Sequence, residues 1–352
     1  MERAVSAEGV AASAGAVGAR EPTGEPSGAL LAVRDLRVDF HLGRRLVRAV
    51  DGLGYEVARA RTVALIGESG SGKTVSSRAI IGLLPPSARV SGSIRFEGRE
   101  LVGLEERQLR RLRGRAIAMI FQDPSRSLNP TMRVGAQIVE AIRLHRDISA
   151  QAAHERAVEL MELVRLPAAR ARFRAYPHQL SGGMRQRVMI AIALAADPQL
   201  LIADEATTAL DVTTQAQIME LLLELQQRLG MAIILISHDL GLAASYAHEV
   251  VVMYAGRAVE RAPTDKLFAE VRMPYTRALL DAIPRLENPC HTPLPAVPGQ
   301  PPDLAAQPRG CPFAPRCPRA SERCRREAPP FVEHERAHLW ACWHPLGVGE
   351  GR

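Results

Sequence analysis

One eight-residue run restricts this chain more than any other: "GESGSGKT", Gly67 to Thr74. It fits G-x-x-x-x-G-K-[ST] and lies between a short apolar run, "TVALIG", and a helix-like "KTVSSRAIIGLL". Strand, glycine loop and helix in that order are the context the motif requires. Glycines let the backbone fold into a nest whose N–H groups converge on phosphate oxygens at a helix N-terminus. Gly67, Glu68, Ser69, Gly70, Ser71 and Gly72 supply that backbone, Lys73 is placed to bridge β- and γ-phosphates, and Thr74 to hold Mg²⁺. The chain writes nearly all its cations as Arg, and only Lys73 and Lys266 are lysines. A compact ammonium suits phosphates where Arg's planar fork does not, so Lys73 marks a chemical requirement.

The surrounding text alternates strand and helix patterns. "LLAVRDLRVDF", "VRAVDGLGYEV" and "SGSIRFEG" read as strands, "AIAMIFQ" and "QLLIAD" as buried strands, and "MAIILIS" as another. "MRQRVMIAIALA" and "TTQAQIMELLLELQQRLG" read as helices, the second with a glycine stop. Such alternation predicts an α/β fold with a largely parallel sheet. Two helical pieces within residues 133–165 interrupt it and read as an inserted helical subdomain. "EVVVMYAGRAVER" closes the pattern as a hairpin, and a proline-rich linker, "NPCHTPLPAVPGQPPDLAAQPRG", follows.

Three further motifs bear on phosphate chemistry. "LLIADE" ends a buried strand in Asp204, placed for Mg²⁺, followed by Glu205. Taken alone, the two carboxylates could instead cap the next helix. "LSGGMRQRV" opens a helix with Ser181, Gly182 and Gly183, a second anion-binding N-terminus that alone is an ordinary cap and turn. In order with the glycine loop and the carboxylate strand, it resembles the signature of ATP-binding cassette (ABC) ATPases, with Met184 where glutamine is usual.

Further matches carry the resemblance over about residues 30–345. Gln122 resembles the Q-loop glutamine that touches Mg²⁺ or the attacking water, Asp211 the D-loop aspartate, His238 the switch histidine at the γ-phosphate, and Phe40 the aromatic that stacks on adenine, with core packing as its alternative. "FQDPSRSLNPTMRVGAQI", "DEATTALDVTTQAQI" and "MPYTRALL" are similar to oligopeptide/dipeptide importer ATPases. Ala206 stands where that family commonly has proline, and Met273 where histidine usually precedes "PYT".

The resemblance implies a P-loop ABC ATPase with a RecA-like core, an antiparallel β subdomain, an inserted helical subdomain at about 128–182 and a small cysteine-containing C-terminal extension. The expected divisions are 1–28 as a disordered extension, 29–270 as the nucleotide-binding domain and 271–352 as the C-terminal region. It further implies ATP and Mg²⁺, with Glu205, His238, Gln122 and Lys73 catalytic. ATP is held between one subunit's glycine loop and its partner's signature. The implied partners are that second ATPase subunit, two transmembrane permeases and an extracytoplasmic substrate-binding protein. Alternatives are a soluble ABC ATPase acting on nucleic acid or ribosomes, an importer of nickel, or a non-hydrolysing regulatory subunit. The segment from Gln122 to Ser181 is too short for the coiled coil of chromosome-type members, a single cassette differs from translation-type members, and Glu205 and His238 are both present.

Composition narrows the setting. Aromatics make up 4% of residues, which argues against a base-stacking platform for single-stranded nucleic acid. The formal charge is +7, but it is arginine spread along the chain, so no nucleic-acid partner is expected. The longest apolar stretches, such as "VMIAIALAA" at 188–196, are about half of what spans a bilayer. Residues 1–28 lack the pattern of a signal peptide, and the expected location is peripheral, on the cytoplasmic face of the cell membrane.

Four of the five cysteines, Cys311, Cys317, Cys324 and Cys342, lie in the tail, separated by five, six and seventeen residues. In a cytosolic chain this favours metal or chance over disulfides. Four thiolates can hold tetrahedral Zn²⁺ or an iron–sulfur cubane, and paired zinc ligands usually stand closer together than these. The resemblance implies a [4Fe–4S] cluster, with four free thiols as the alternative. Cys290 falls in the linker and is not expected to be a ligand.

Overall fold

The structure is a computed structural model that describes residues 28–43, 45–208, 210–283, 297–306 and 308–347. The expected N-terminal extension up to residue 27, and Cys290 with most of its linker, lie outside the described residues.

The strands are β1 (Ala29–Leu42), β2 (Arg45–Ala58), β3 (Thr62–Ile66), β4 (Ala88–Phe96), β5 (Arg99–Glu100), β6 (Ile117–Ile120), β7 (Leu200–Asp204), β8 (Ala232–Ser237), β9 (Glu249–Tyr254), β10 (Arg257–Pro263), β11 (Val332–Glu335) and β12 (His338–Trp340). The helices are α1 (Lys73–Ile80), α2 (Glu106–Leu112), α3 (Pro124–Ser127), α4 (Val134–His145), α5 (Ala150–Leu163), α6 (Ala169–Arg172), α7 (Gly182–Ala193), α8 (Val212–Leu229), α9 (Leu240–Tyr246), α10 (Thr264–Ala269), α11 (Pro274–Asp281) and α12 (Glu322–Arg326).

An antiparallel sheet runs β2-β1-β4-β5, and a larger sheet runs β11-β12-β10-β9-β3-β8-β7-β6. Within the larger sheet β6, β7, β8, β3 and β9 pair in parallel. Parallel strands are covered on both faces, which is why β3, β7 and β8 are apolar and buried at nearly every position. Alternate residues feed two cores. Ala64, Ile66, Leu201 and Leu235 face one core with α4, α5, α7 and α8, whereas Val63, Leu65, Leu200 and Ile234 face the other with α1 and the antiparallel sheet.

Helices α4 and α5 match the two helical pieces expected within 133–165. Val134, Ile138 and Ile142 recur at four-residue spacing and are fully buried, as are Ala153, Ala157, Leu160 and Met161. Helix α8 stops at Gly230, as its sequence predicts.

The C-terminal region is built into the sheet. Strand β12 pairs antiparallel with β10, and β11 pairs with β12. Glu260 of β10 is fully buried, with one carboxylate oxygen accepting the Arg272 N–H at 2.7 Å and lying 3.0 Å from His338 Nε2. Its second oxygen accepts the Met273 N–H at 3.2 Å. A carboxylate out of water needs such partners, and here they tie β10, the start of α11 and β12 together.

Candidate active site

Because β6, β7, β8 and β3 run parallel, their C-terminal ends open on one edge of the sheet, where α/β folds bind ligands. That edge receives Gln122 after β6, Asp204 and Glu205 at β7, His238 after β8 and the glycine loop after β3.

The loop holds its shape by close backbone approach. Gly67 has φ +154°, and a Cβ there would stand 2.2 Å from the Met253 carbonyl oxygen. Gly72 caps α1 at φ +100°, and its Cβ would lie 2.5 Å from the Ala49 carbonyl oxygen. No L side chain fits either position without moving backbone. Lys73, only 4% exposed, curls back over the loop: its Nζ donates to the carbonyls of Gly67 (2.6 Å) and Glu68 (2.9 Å) and to Ser71 Oγ (3.3 Å). Burial holds its pKa below the ordinary lysine value, while Glu205, Asp204 and Glu68 pull it upward.

Thr74 Oγ1 donates to Asp204 Oδ1 at 2.8 Å, which joins two of the three expected Mg²⁺ ligands across the sheet. Burial raises the Asp204 pKa against the Thr74 hydrogen bond, so this carboxylate gains from a cation beside it. Hydroxyl and carboxylate oxygens are the hard donors that Mg²⁺ prefers.

Glu205 sits just past β7 at φ +48°, a strained value for a non-glycine residue, with its N–H donating to the Ile236 carbonyl at 3.0 Å. Its Oε2 accepts Gln122 Nε2 at 2.7 Å, and its Oε1 lies 3.9 Å from His238 Nδ1. Three residues expected to be catalytic thus converge, although 83 residues separate Gln122 from Glu205.

Other expected residues stand apart from this cluster. Ser181 caps α7 and accepts the Met184 N–H at 3.4 Å, and it is exposed with Gly182. Asp211 caps α8, accepting the Thr214 N–H (3.0 Å) and hydroxyl (2.7 Å), contacts that lower its pKa. Phe40 is half-buried on β1 opposite Val47, in the sheet whose Ala49 carbonyl approaches Gly72.

Two residues missed in the sequence reach the loop. Tyr275 OH accepts the Glu68 N–H at 2.9 Å, and Arg316 grips the Glu68 carboxylate with both terminal nitrogens at 2.7 and 3.0 Å. Arg316 lies between Cys311 and Cys317, 248 residues from Glu68, and no local pattern announces the pairing.

The four tail cysteines line one small pocket with Phe313 and His344. Backbone N–H groups of Phe313 and Ala314 approach the Cys311 sulfur, that of Arg319 the Cys317 sulfur, and that of His344 the Cys342 sulfur, the last at 3.3 Å. Ser321 Oγ lies 3.5 Å from Cys324 Sγ. Burial raises the Cys311, Cys317 and Cys342 thiols, Cys342 to about 12. Among the described residues no group of three or more His, Cys, Asp or Glu is placed to hold a single metal ion.

Residues 50–208 match the family described as ABC transporter, and residues 259–324 match the oligopeptide/dipeptide transporter C-terminal region. The oligopeptide transport ATP-binding protein OppD of Salmonella typhimurium is 48% identical over 322 residues, covering 92% of this chain and 96% of its own. The chain belongs to the oligopeptide transport ATP-binding proteins of the ABC transporter family. It is also 48% identical to the oligopeptide transport ATP-binding protein OppD of Bacillus subtilis, over 90% of this chain and 89% of that one. Among solved structures, the ATP-binding cassette MJ0796, in a dimeric post-hydrolysis state with ADP and Pi, aligns at a TM-score of 0.60. It is 24% identical and covers 66% of this chain and 98% of its own, a likeness that establishes the ABC ATPase fold for this family member. No helix among the described residues is long and apolar enough to cross a membrane.

Proposed function

We propose that this chain is the ATP-hydrolysing subunit that powers import of oligopeptides through a membrane permease. The observation that carries the reading is the near-complete alignment with oligopeptide transport ATP-binding proteins, together with a phosphate loop, a Thr74–Asp204 pair and a Gln122–Glu205–His238 cluster on one edge of the sheet.

Each residue's task follows from its place. The glycine loop binds the triphosphate, and Lys73 exchanges its carbonyl partners for β- and γ-phosphate oxygens. Thr74, Asp204 and Gln122 would hold Mg²⁺, which when bound would offset phosphate charge. Glu205 orients the attacking water and accepts its proton, Gln122 and His238 fix the direction of that carboxylate, and His238 meets the γ-phosphate. Phe40 stacks on the adenine. The exposed Ser181 and Gly182, the half-buried Gly183 and Asp211 at the start of α8 face the nucleotide of a second ATPase subunit, as in head-to-tail cassette dimers.

The remaining partners are two transmembrane permeases and an extracytoplasmic substrate-binding protein, with this subunit peripheral on the cytoplasmic face. An apolar groove beside Gln122, lined by Leu83, Phe121, Leu128, Leu144 and Met189, leaves Leu144 77% exposed and offers a permease segment its seat. The test is ATP-driven oligopeptide accumulation by the assembled importer.

The cysteine pocket is proposed to hold a [4Fe–4S] cluster. Four soft sulfur donors around one space, with Cys342 Sγ accepting the His344 N–H at 3.3 Å, support this, because such bonds stabilise cluster thiolates. Protein purified without oxygen is expected to be brown and to contain iron and acid-labile sulfide. A colourless preparation with stoichiometric zinc contradicts the proposal.

A further inference from the structure

The cysteine-bearing C-terminal region reaches the nucleotide site at one residue, Glu68, and holds it on two sides. The Glu68 N–H donates to Tyr275 OH, and its carboxylate is forked by Arg316. Its carbonyl is held from within the loop by Lys73 Nζ. Every polar group of Glu68 therefore has a fixed partner.

The holding residues are rigid in their turn. Arg316 is 6% exposed, and its Nε donates to the Pro298 carbonyl at 2.6 Å, with Nη1 3.2 Å from Tyr254 OH and Nη2 3.2 Å from the Val297 carbonyl. Tyr254, Tyr275 and Phe313 pack with ring centroids 4.6 to 5.3 Å apart, so β9, α11 and the turn after Cys311 form one aromatic block. Bidentate Arg–carboxylate pairs are geometrically specific, and this one has a buried cation. The pairing also answers an electrostatic difficulty. A carboxylate on a loop that binds triphosphate repels its ligand, and the Arg316 guanidinium at 2.7 and 3.0 Å offsets that charge.

We infer that Arg316 is a positioning residue for ATP binding, acting through Glu68: the C-terminal region clamps the phosphate loop in its nucleotide-ready shape and neutralises the loop's carboxylate. This rests on the proposed ATPase reading. A pre-formed loop loses less conformational freedom when the nucleotide arrives, so the clamp acts on affinity. Its removal belongs in KM for ATP more than in kcat, since Arg316 touches none of the residues assigned to the hydrolytic step.

The test uses the full chain assembled with its membrane partners. Arg316→Gln is expected to raise KM for ATP about tenfold, with the change in kcat well below that in KM. Glu68→Gln should raise KM less, because it breaks the tie but leaves no free carboxylate. The double variant should match Glu68→Gln, since the liberated charge is gone. Tyr275→Phe, which deletes only the hydroxyl, should move KM in the same direction. Should Arg316→Gln fail to fold, Glu68→Gln and Tyr275→Phe read the clamp from the loop side. Unchanged KM in those two variants, or a double variant whose losses simply add, overturns the inference. Absence of ATP turnover in the wild-type assembly would instead sink the ATPase reading itself, so the two failures are distinguishable.

Discussion

Glu205→Gln is expected to bind ATP and barely hydrolyse it, with turnover reduced at least about 100-fold. The amide has the shape of the carboxylate and can still accept the Gln122 hydrogen bond, so the strained backbone at φ +48° and its neighbours stay in place. What disappears is the group proposed to take a proton from water. Nucleotide then stays trapped and the cassette dimer stays closed. Phosphate release measured beside nucleotide retention and sedimentation separates the two effects. A variant that turns over ATP near the wild-type rate removes Glu205 from its assigned role.

Lys73→Arg is expected to cost nearly as much, although it conserves charge. The ammonium sits 4% exposed among three acceptors at 2.6, 2.9 and 3.3 Å, inside a loop whose glycines leave no room to widen. A guanidinium is bulkier and spreads its donors in a plane, so it must either push the loop apart or leave the pocket. Turnover is predicted to fall about 100-fold, the scale of losing one aimed donor at a developing charge. Retention within about threefold of wild type would show that any cation serves, against the argument from a lysine in an arginine-rich chain.

Much of this site is legible in the sequence because its parts are local. Gly67 to Thr74 needs one strand, one turn and one helix, while Asp204 ends and His238 follows a single apolar strand. Parallel order then brings them to a common edge without further information. What stays hidden depends on contacts across long separations. The strained backbone at Glu205 is set by its neighbours on β7 and β8, and no residue type announces it. Strand β12 is three residues long, too short to register as a pattern, yet it joins the tail to β10. Arg316 looks like any other arginine until the fold carries it 248 residues back to Glu68. The tail thus looks remote from the hydrolytic residues in sequence, while in the fold it rests against the phosphate loop.

The central claim is that ATP hydrolysis by this chain drives oligopeptide import. It is tested most directly in vesicles carrying the chain and its proposed partners, a second ATPase subunit, two permeases and a substrate-binding protein, with labelled oligopeptide supplied on the binding-protein side. The account predicts accumulation that requires ATP and Mg²⁺ on the opposite side and is abolished by Glu205→Gln. Accumulation that persists with Glu205→Gln, or ATP turnover by the wild-type assembly that moves no peptide, would contradict it.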